Sequence, residues 1–384
     1  MNRNQTAENY TMRALYLLAI VFVVDGHTAL GDLFDMGGLF RYYSFHLLLF
    51  AFGSGYFYRD GAEANPLSAI ARKAKRLILP LYLWNAVYGI GAACLRRFGG
   101  FELGQPLSAY TLLLAPIVDG QHFSYNLGSW FVFPLFAAQV LYLLVRRLSG
   151  LWKEREGITF LLCLIPGAVC VQALFGGAQD FLPLFALRTL ILLPGYAGGV
   201  LYRRVLERHD TLPTAPYLLG IALLRALLCL RYENLAYLLS DCSYFVCDAL
   251  GVYLGGALAI AFMLRVARLL APHMRKSRLA MAVSRHTYDI MMHHFMGFFA
   301  LNGVFLLANA LGIGAADFSV RSFRTQWDYL YAPGGRIEMN LLYILAGLLL
   351  PLAIGAATRA CGQGLRRGFE RVTGNNQASR AKQP

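Results

Sequence analysis

Apolar runs long enough to cross a bilayer recur along all 384 residues of this chain, and they restrict it to folds whose solvent is lipid. Composition agrees: 57% of the residues are apolar and 15% are charged, too few charges to surface a soluble domain of this length. The sequence reads as an all-α, polytopic membrane helix bundle. Runs bounded by charges or turn residues place about ten transmembrane helices, at 11–29, 40–58, 77–95, 129–145, 158–175, 184–202, 214–230, 244–267, 280–311 and 337–358. The ninth is long enough to be tilted, broken or partly outside the bilayer. The first is too long for a signal-peptide core and no small-residue cleavage site follows it, so it reads as a retained helix.

Lysine and arginine set the orientation. With a cytoplasmic N-terminus, 24 of the 35 fall in segments on the inner side and seven on the outer, while Arg13, Arg188, Arg225 and Arg285 fall within spans. Both termini are then cytoplasmic. The formal net charge of +14 is mostly an orientation signal with some affinity for anionic membrane lipids, and nucleic acid needs no place in the account. Seven cysteines without a CxxC pair or metal-type spacing give no reason to expect a disulfide or a metal. No internal repeat is visible, which weighs against the inverted-repeat plan of many transporters. One membrane domain over 1–361 is expected, followed by a polar cytoplasmic tail over 362–384.

Ionisable groups at membrane depth are costly, so they either find a partner in the bundle or face a wet site. His27 and Asp25 lie near the outer end of the first span, His46 begins the second, and Asp289, His293 and His294 cluster in the ninth. Arg188, Arg225 and Asp248 lie in or near the sixth, seventh and eighth. Arg13 and His27 are 14 residues apart, so they share a helix face about 21 Å apart along the axis. Asp289 and His293, four apart, also share a face, and an Asp-to-His hydrogen bond would hold that ring in one tautomer. His294 is turned about 100° from it.

Five segments resemble the integral-membrane acyltransferase 3 family, and within it the fucose 4-O-acetylase-like sugar O-acetyltransferases. They are Val23-Val-Asp-Gly-His27; Phe45 to Tyr58, with its His, Leu, Phe and Ser-Gly-Tyr; Arg76 to Trp84; Ser129-Trp-Phe-Val-Phe-Pro-Leu-Phe136; and Ile290-Met-Met-His-His-Phe295, which aligns His294. They run from about residue 11 to 300 in the family's order. The resemblance implies that 1–361 is an acyltransferase domain in a bacterial inner membrane. Its expected reaction moves an acyl group, usually acetyl from cytoplasmic acetyl-CoA, to a hydroxyl of an envelope or exported glycan or its lipid-linked precursor. His27 is then the expected general base, and a covalent acyl-histidine would use the same residue. Arg13, His46 and His294 complete the expected catalytic set. One departure stands out: the family motif usually places ten residues between its Arg and its His, whereas thirteen separate Arg13 from His27, and Tyr16 holds the expected position.

For the donor, Arg72, Lys73, Lys75 and Arg76 offer a cytoplasmic anion site, or they simply obey the positive-inside bias. Tyr16, Trp130, Asp289 and His293 are the candidates for substrate contact, with Trp84 and other aromatics equally readable as an interfacial belt. The outer loop from Arg97 to Leu127, with Gln121 to Asn126 before the fourth span, is a candidate cover for the acceptor site. No Gly-Asp-Ser block is present, so action alone or with a separate partner is expected. Two other readings stay open: a flippase or transporter of a lipid-linked sugar, and a catalytically silent family member.

Overall fold

The computed structural model describes residues 8–28, 36–120, 123–150, 155–178, 181–336 and 338–380, with side chains up to 364. Among these, fourteen α-helices follow one another: α1 (Tyr10–Gly26), α2 (His46–Tyr56), α3 (Pro66–Gly99), α4 (Ala109–Leu113), α5 (Ala115–Val118), α6 (Val132–Ser149), α7 (Arg155–Phe175), α8 (Leu184–Leu201), α9 (Thr214–Tyr232), α10 (Ala249–Met274), α11 (Arg278–Arg285), α12 (Thr287–Ala310), α13 (Val320–Thr325) and α14 (Glu338–Arg380). A 3-10 helix, Ser124–Phe131, leads directly into α6. A hairpin of β1 (Tyr237–Leu238) and β2 (Tyr244–Phe245) is the one sheet among the described residues.

The all-α bundle expected from the apolar runs is the fold observed. Each of the ten runs is occupied by a helix, and eight helices are long and apolar enough to cross a membrane among the described residues. The other two, α1 with 17 residues and α2 with 11, are short. At 1.5 Å per residue, α2 covers only about 16 Å, roughly half of a hydrocarbon core. The third run opens at Pro66 rather than 77, because Asn65 caps the amide of Ser68 and an amphipathic stretch carries Arg72 to Arg76 before the apolar part begins. The ninth run is broken at His286 into α11 and α12.

Close backbone contact holds α2 against α8. Gly55 faces the Tyr196 carbonyl and Gly199 faces that of Phe52 so tightly that a Cβ at either place would overlap the oxygen. This is the small-residue packing by which helices associate in lipid, where apolar burial alone does not favour contact between them. Of the intramembrane arginines, Arg225 clasps the segment leading into α2. Its Nε donates to the Leu39 carbonyl at 2.6 Å, Nη1 to that of Gly255 at 2.5 Å, and Nη2 to Ser44 Oγ. Asp248 caps α10, accepting from the Gly251 amide at 3.0 Å and from Tyr232 Oη at 2.7 Å.

Contacts at one end of the bundle join the start of α1 to α2 and α11, and α12 to α14. Asn9 bonds Tyr56 at the end of α2, Glu8 pairs with Arg285 of α11, and Asp289 of α12 pairs with Arg359 of α14 at 2.6 Å. The start of α1 and the far part of α14 thus lie together, at what is called below the basic end.

Candidate active site

Two cavities meet inside the bundle. The first, about 510 Å³, opens at the basic end and is lined by Arg13, Tyr16, Lys73, Arg76, Gln139 and Arg285, among others. Its walls hold four cations and no carboxylate among the described residues. The second, about 460 Å³, lies toward the opposite end and is lined by His27, His46, Asp119, Trp130, Arg188, Asp241 and Trp327, among others. Phe50, Phe131 and Met291 line both, so these three side chains form the partition.

Three imidazoles sit at or beside the second cavity, each held by a backbone carbonyl one helical turn earlier. His27 Nδ1 donates to Val23 O at 2.7 Å, His46 Nδ1 to Tyr42 O at 2.6 Å, and His294 Nδ1 to Ile290 O at 3.1 Å and Met291 O at 3.0 Å. A carbonyl only accepts, so Nδ1 carries a proton in all three, and in the neutral ring Nε2 keeps the lone pair. His27, half-buried as the C-cap of α1, therefore presents a basic nitrogen in the cavity it lines. His294 is fully buried, its ring centroid is 4.9 Å from that of His27, and its Nε2 has no partner among the described residues. Buried imidazoles with free lone pairs can accept a hydroxyl proton or orient the hydroxyl that carries it.

The expected residues sort by position. His27 and His46 line the second cavity, and His294 packs against His27. Arg13 and Tyr16, three apart on one face of α1, line the first, so Tyr16 stands on the cation-lined side of the partition. Lys73 and Arg76 also line it, with Lys73 Nζ donating to Gln139 at 2.5 Å. Arg72 and Lys75 are exposed and do not line the cavity; Arg72, one turn before Arg76, bonds Ser68 Oγ instead. Trp130 borders the second cavity but is 9% exposed and carries the Arg188 guanidinium 4.8 Å above its ring, so little of its surface is free for a sugar.

One expected pairing is corrected. Asp289 does not bond His293: its carboxylate takes Arg359 at 2.6 Å and lies 3.2 Å from His286 Nδ1, at the basic end. His293 Nδ1 instead meets Tyr88 Oη at 2.8 Å, with the Trp84 ring 4.3 Å away, and faces neither cavity. The i,i+4 spacing allows the pair, but a formal cation from α14 outcompetes a neutral ring for a carboxylate. Of the expected cover, Asp119, Gly120 and Leu127 border the second cavity, while Gln121 and His122 lie outside the described residues. Trp327, 47% exposed on that cavity, and the β1–β2 turn that supplies Ser240 and Asp241 carry no local signal in the chain. Arg285 was legible only as a cation in a span. No group of three or more potential metal ligands converges among the described residues.

The model of the family described as an acyltransferase domain matches residues 10–359. The chain belongs to the acyltransferase 3 family. The match runs from the first turn of α1 to Arg359 in α14, so both cavities and the histidine cluster lie inside it. Family membership makes this chain a multi-pass membrane acyltransferase. No curated protein and no solved structure matches it.

Proposed function

We propose that this acyltransferase moves an acetyl group from cytoplasmic acetyl-CoA, bound in the cation-lined cavity, to a glycan hydroxyl in the second cavity. The acceptor is an envelope or exported glycan or its lipid-linked precursor, as in sugar O-acetyltransferases of the fucose 4-O-acetylase-like kind. The observation that carries the reading is the abutment of the two cavities across Phe50, Phe131 and Met291. One is lined by four cations and no carboxylate among the described residues, which suits an anionic ligand, the other is lined by His27 and His46, and Phe50, Phe131 and Met291 border both. The excess of lysine and arginine at the basic end orients that end to the cytoplasm of a bacterial inner membrane.

In the chemical step, the acceptor oxygen attacks the thioester carbonyl carbon while His27 Nε2 takes its proton. The tetrahedral adduct collapses, the C–S bond breaks, and the coenzyme A thiolate leaves and recovers the proton from the imidazolium. The acetyl ester of the acceptor and free coenzyme A result. His27 Nδ1–H remains on the Val23 carbonyl throughout, which steadies the ring as its charge changes. The test is transfer of label from radiolabelled acetyl-CoA to envelope glycan in membranes containing wild-type or His27→Ala protein at matched folded levels. Label with wild type alone is the expected result. Equal label removes His27 from the mechanism, and label with neither turns the reading toward a lipid-linked sugar flippase.

A further inference from the structure

Glu8 stands just ahead of α1, one residue before its cap Asn9. Its carboxylate bridges two arginines that line the first cavity. Arg13 Nε donates to Oε1 at 2.9 Å, while Arg285 grips the same carboxylate with two donors, Nε to Oε1 at 3.1 Å and Nη2 to Oε2 at 2.5 Å. Lys73 and Arg76 complete the cationic lining, and the cavity wall itself has no carboxylate among the described residues. The bridge is reachable from outside: the side chains of Glu8, Arg13 and Arg285 are 26%, 34% and 50% exposed.

A forked guanidinium with a second arginine beside it fits two oxygens of a phosphate as well as two of a carboxylate. Glu8 is therefore a carboxylate seated where an oxyanion of the donor would be received. Chiefly the Arg285 hydrogen bond, against a smaller opposing effect of burial, holds its carboxyl below the ordinary value, so it is ionised at neutral pH. Glu8 precedes the first helical turn, so its side chain can leave the arginines without unwinding α1.

We propose that Arg13 and Arg285 form a subsite for a phosphate of the acyl donor, and that Glu8 is a built-in competitor for it. This rests on the reading of the first cavity as a coenzyme A thioester site. Donor binding then exchanges one anion for another on the same two arginines, and removing the carboxylate removes the competition.

The experiment measures binding of coenzyme A and of pantetheine, which lacks the phosphates, to the purified full chain in lipid nanodiscs. Wild type, Glu8→Gln and Arg285→Gln are compared at matched thermal midpoints. Glu8→Gln is expected to tighten coenzyme A about two- to fivefold, the scale of one exposed ion pair, and Arg285→Gln to weaken it. Neither should change pantetheine binding. Unchanged or weaker coenzyme A binding by folded Glu8→Gln overturns the proposal and makes the bridge a fastener between α1 and α11. An equal gain for pantetheine also overturns it, since the gain is then not at a phosphate. If folded wild type binds no coenzyme A at all, the donor reading falls and takes this proposal with it.

Discussion

Gly128→Ala tests whether the placement of His294 matters to the chemistry. Gly128 lies in the 3-10 segment before α6, pressed against α12. An added Cβ would stand 2.9 Å from the Met291 carbonyl oxygen and closer still to Cε1 of His294. The carbonyl is helix backbone and cannot rotate away, so the imidazole or the 3-10 segment must retreat by roughly 1 Å to reach ordinary contact. Overpacking of this kind costs about 1–3 kcal/mol. His294 is packed 4.9 Å from His27, and a displacement of about 1 Å in a catalytic constellation can cost up to 10²-fold in rate. Gly128→Ala is therefore expected to fold with a lowered thermal midpoint and to lose roughly ten- to a hundredfold in kcat. The KM for acetyl-CoA should hold, because the four cations of the first cavity are untouched. Initial rates of label transfer read both parameters. A partner variant isolates the cause: in a His294→Ala background the same methyl has room, and its stability cost should shrink. Wild-type kcat in folded Gly128→Ala would refute a role for His294 in the reacting geometry.

His27→Asn keeps a donor for the Val23 carbonyl but removes Nε2; kcat should fall by about 10² to 10⁴, and retention of more than a tenth of the activity would exclude the general-base role. Neutralising Lys73 and Arg76 together as glutamines should raise the KM for acetyl-CoA by roughly tenfold, the scale of one lost charge-assisted contact. The same change at Arg72 and Lys75, exposed and off the cavity lining, should leave KM within about twofold; equal effects would show that general surface charge is responsible. Arg225→Leu strips donors from Leu39 O, Gly255 O and Ser44 Oγ. The expected cost is about 2–5 kcal/mol, read as a lower thermal midpoint together with reduced kcat as the segment carrying His46 loosens; an unchanged midpoint would refute the clasp.

The spans were legible because apolar runs in lipid leave one local solution. Their ends were less so. Charges at Arg72 to Arg76 break the apolar pattern but not the helix, so α3 begins before its hydropathy does. The run from 40 to 58 conceals a 3-10 turn at Tyr42–Ser44, so α2 is shorter than its run and His46 is its first residue rather than a position inside a longer helix. Two-residue strands such as β1 and β2 carry no periodicity to detect. His27, His46 and His294 were legible as ionisable groups in apolar surroundings, a local property of the chain. Partner choice was not, because it is decided by elements distant in sequence: Arg359 takes Asp289, Tyr88 takes His293, and Trp130 is covered by Arg188.

The departure in spacing between Arg13 and His27 has a geometric account. Arg13 and Tyr16 lie three residues apart on one face of α1 and open on the same cavity, so the charge sits about 4.5 Å nearer its mouth than the family motif would put it. That is the depth at which Arg285 and Glu8 stand, and the vacated position is filled by a tyrosine ring stacked 6.3 Å from that of Phe57. If the cavity needs a cation on this face and tolerates either turn, moving the charge should restore what deleting it removes. Arg13→Gln is expected to raise the KM for acetyl-CoA, and Arg13→Gln/Tyr16→Arg to recover much of that loss without a gain in kcat. Failure of the double variant to rescue, in folded protein, would mean that Arg13 acts through its own contacts at the mouth rather than as a movable charge on a shared wall.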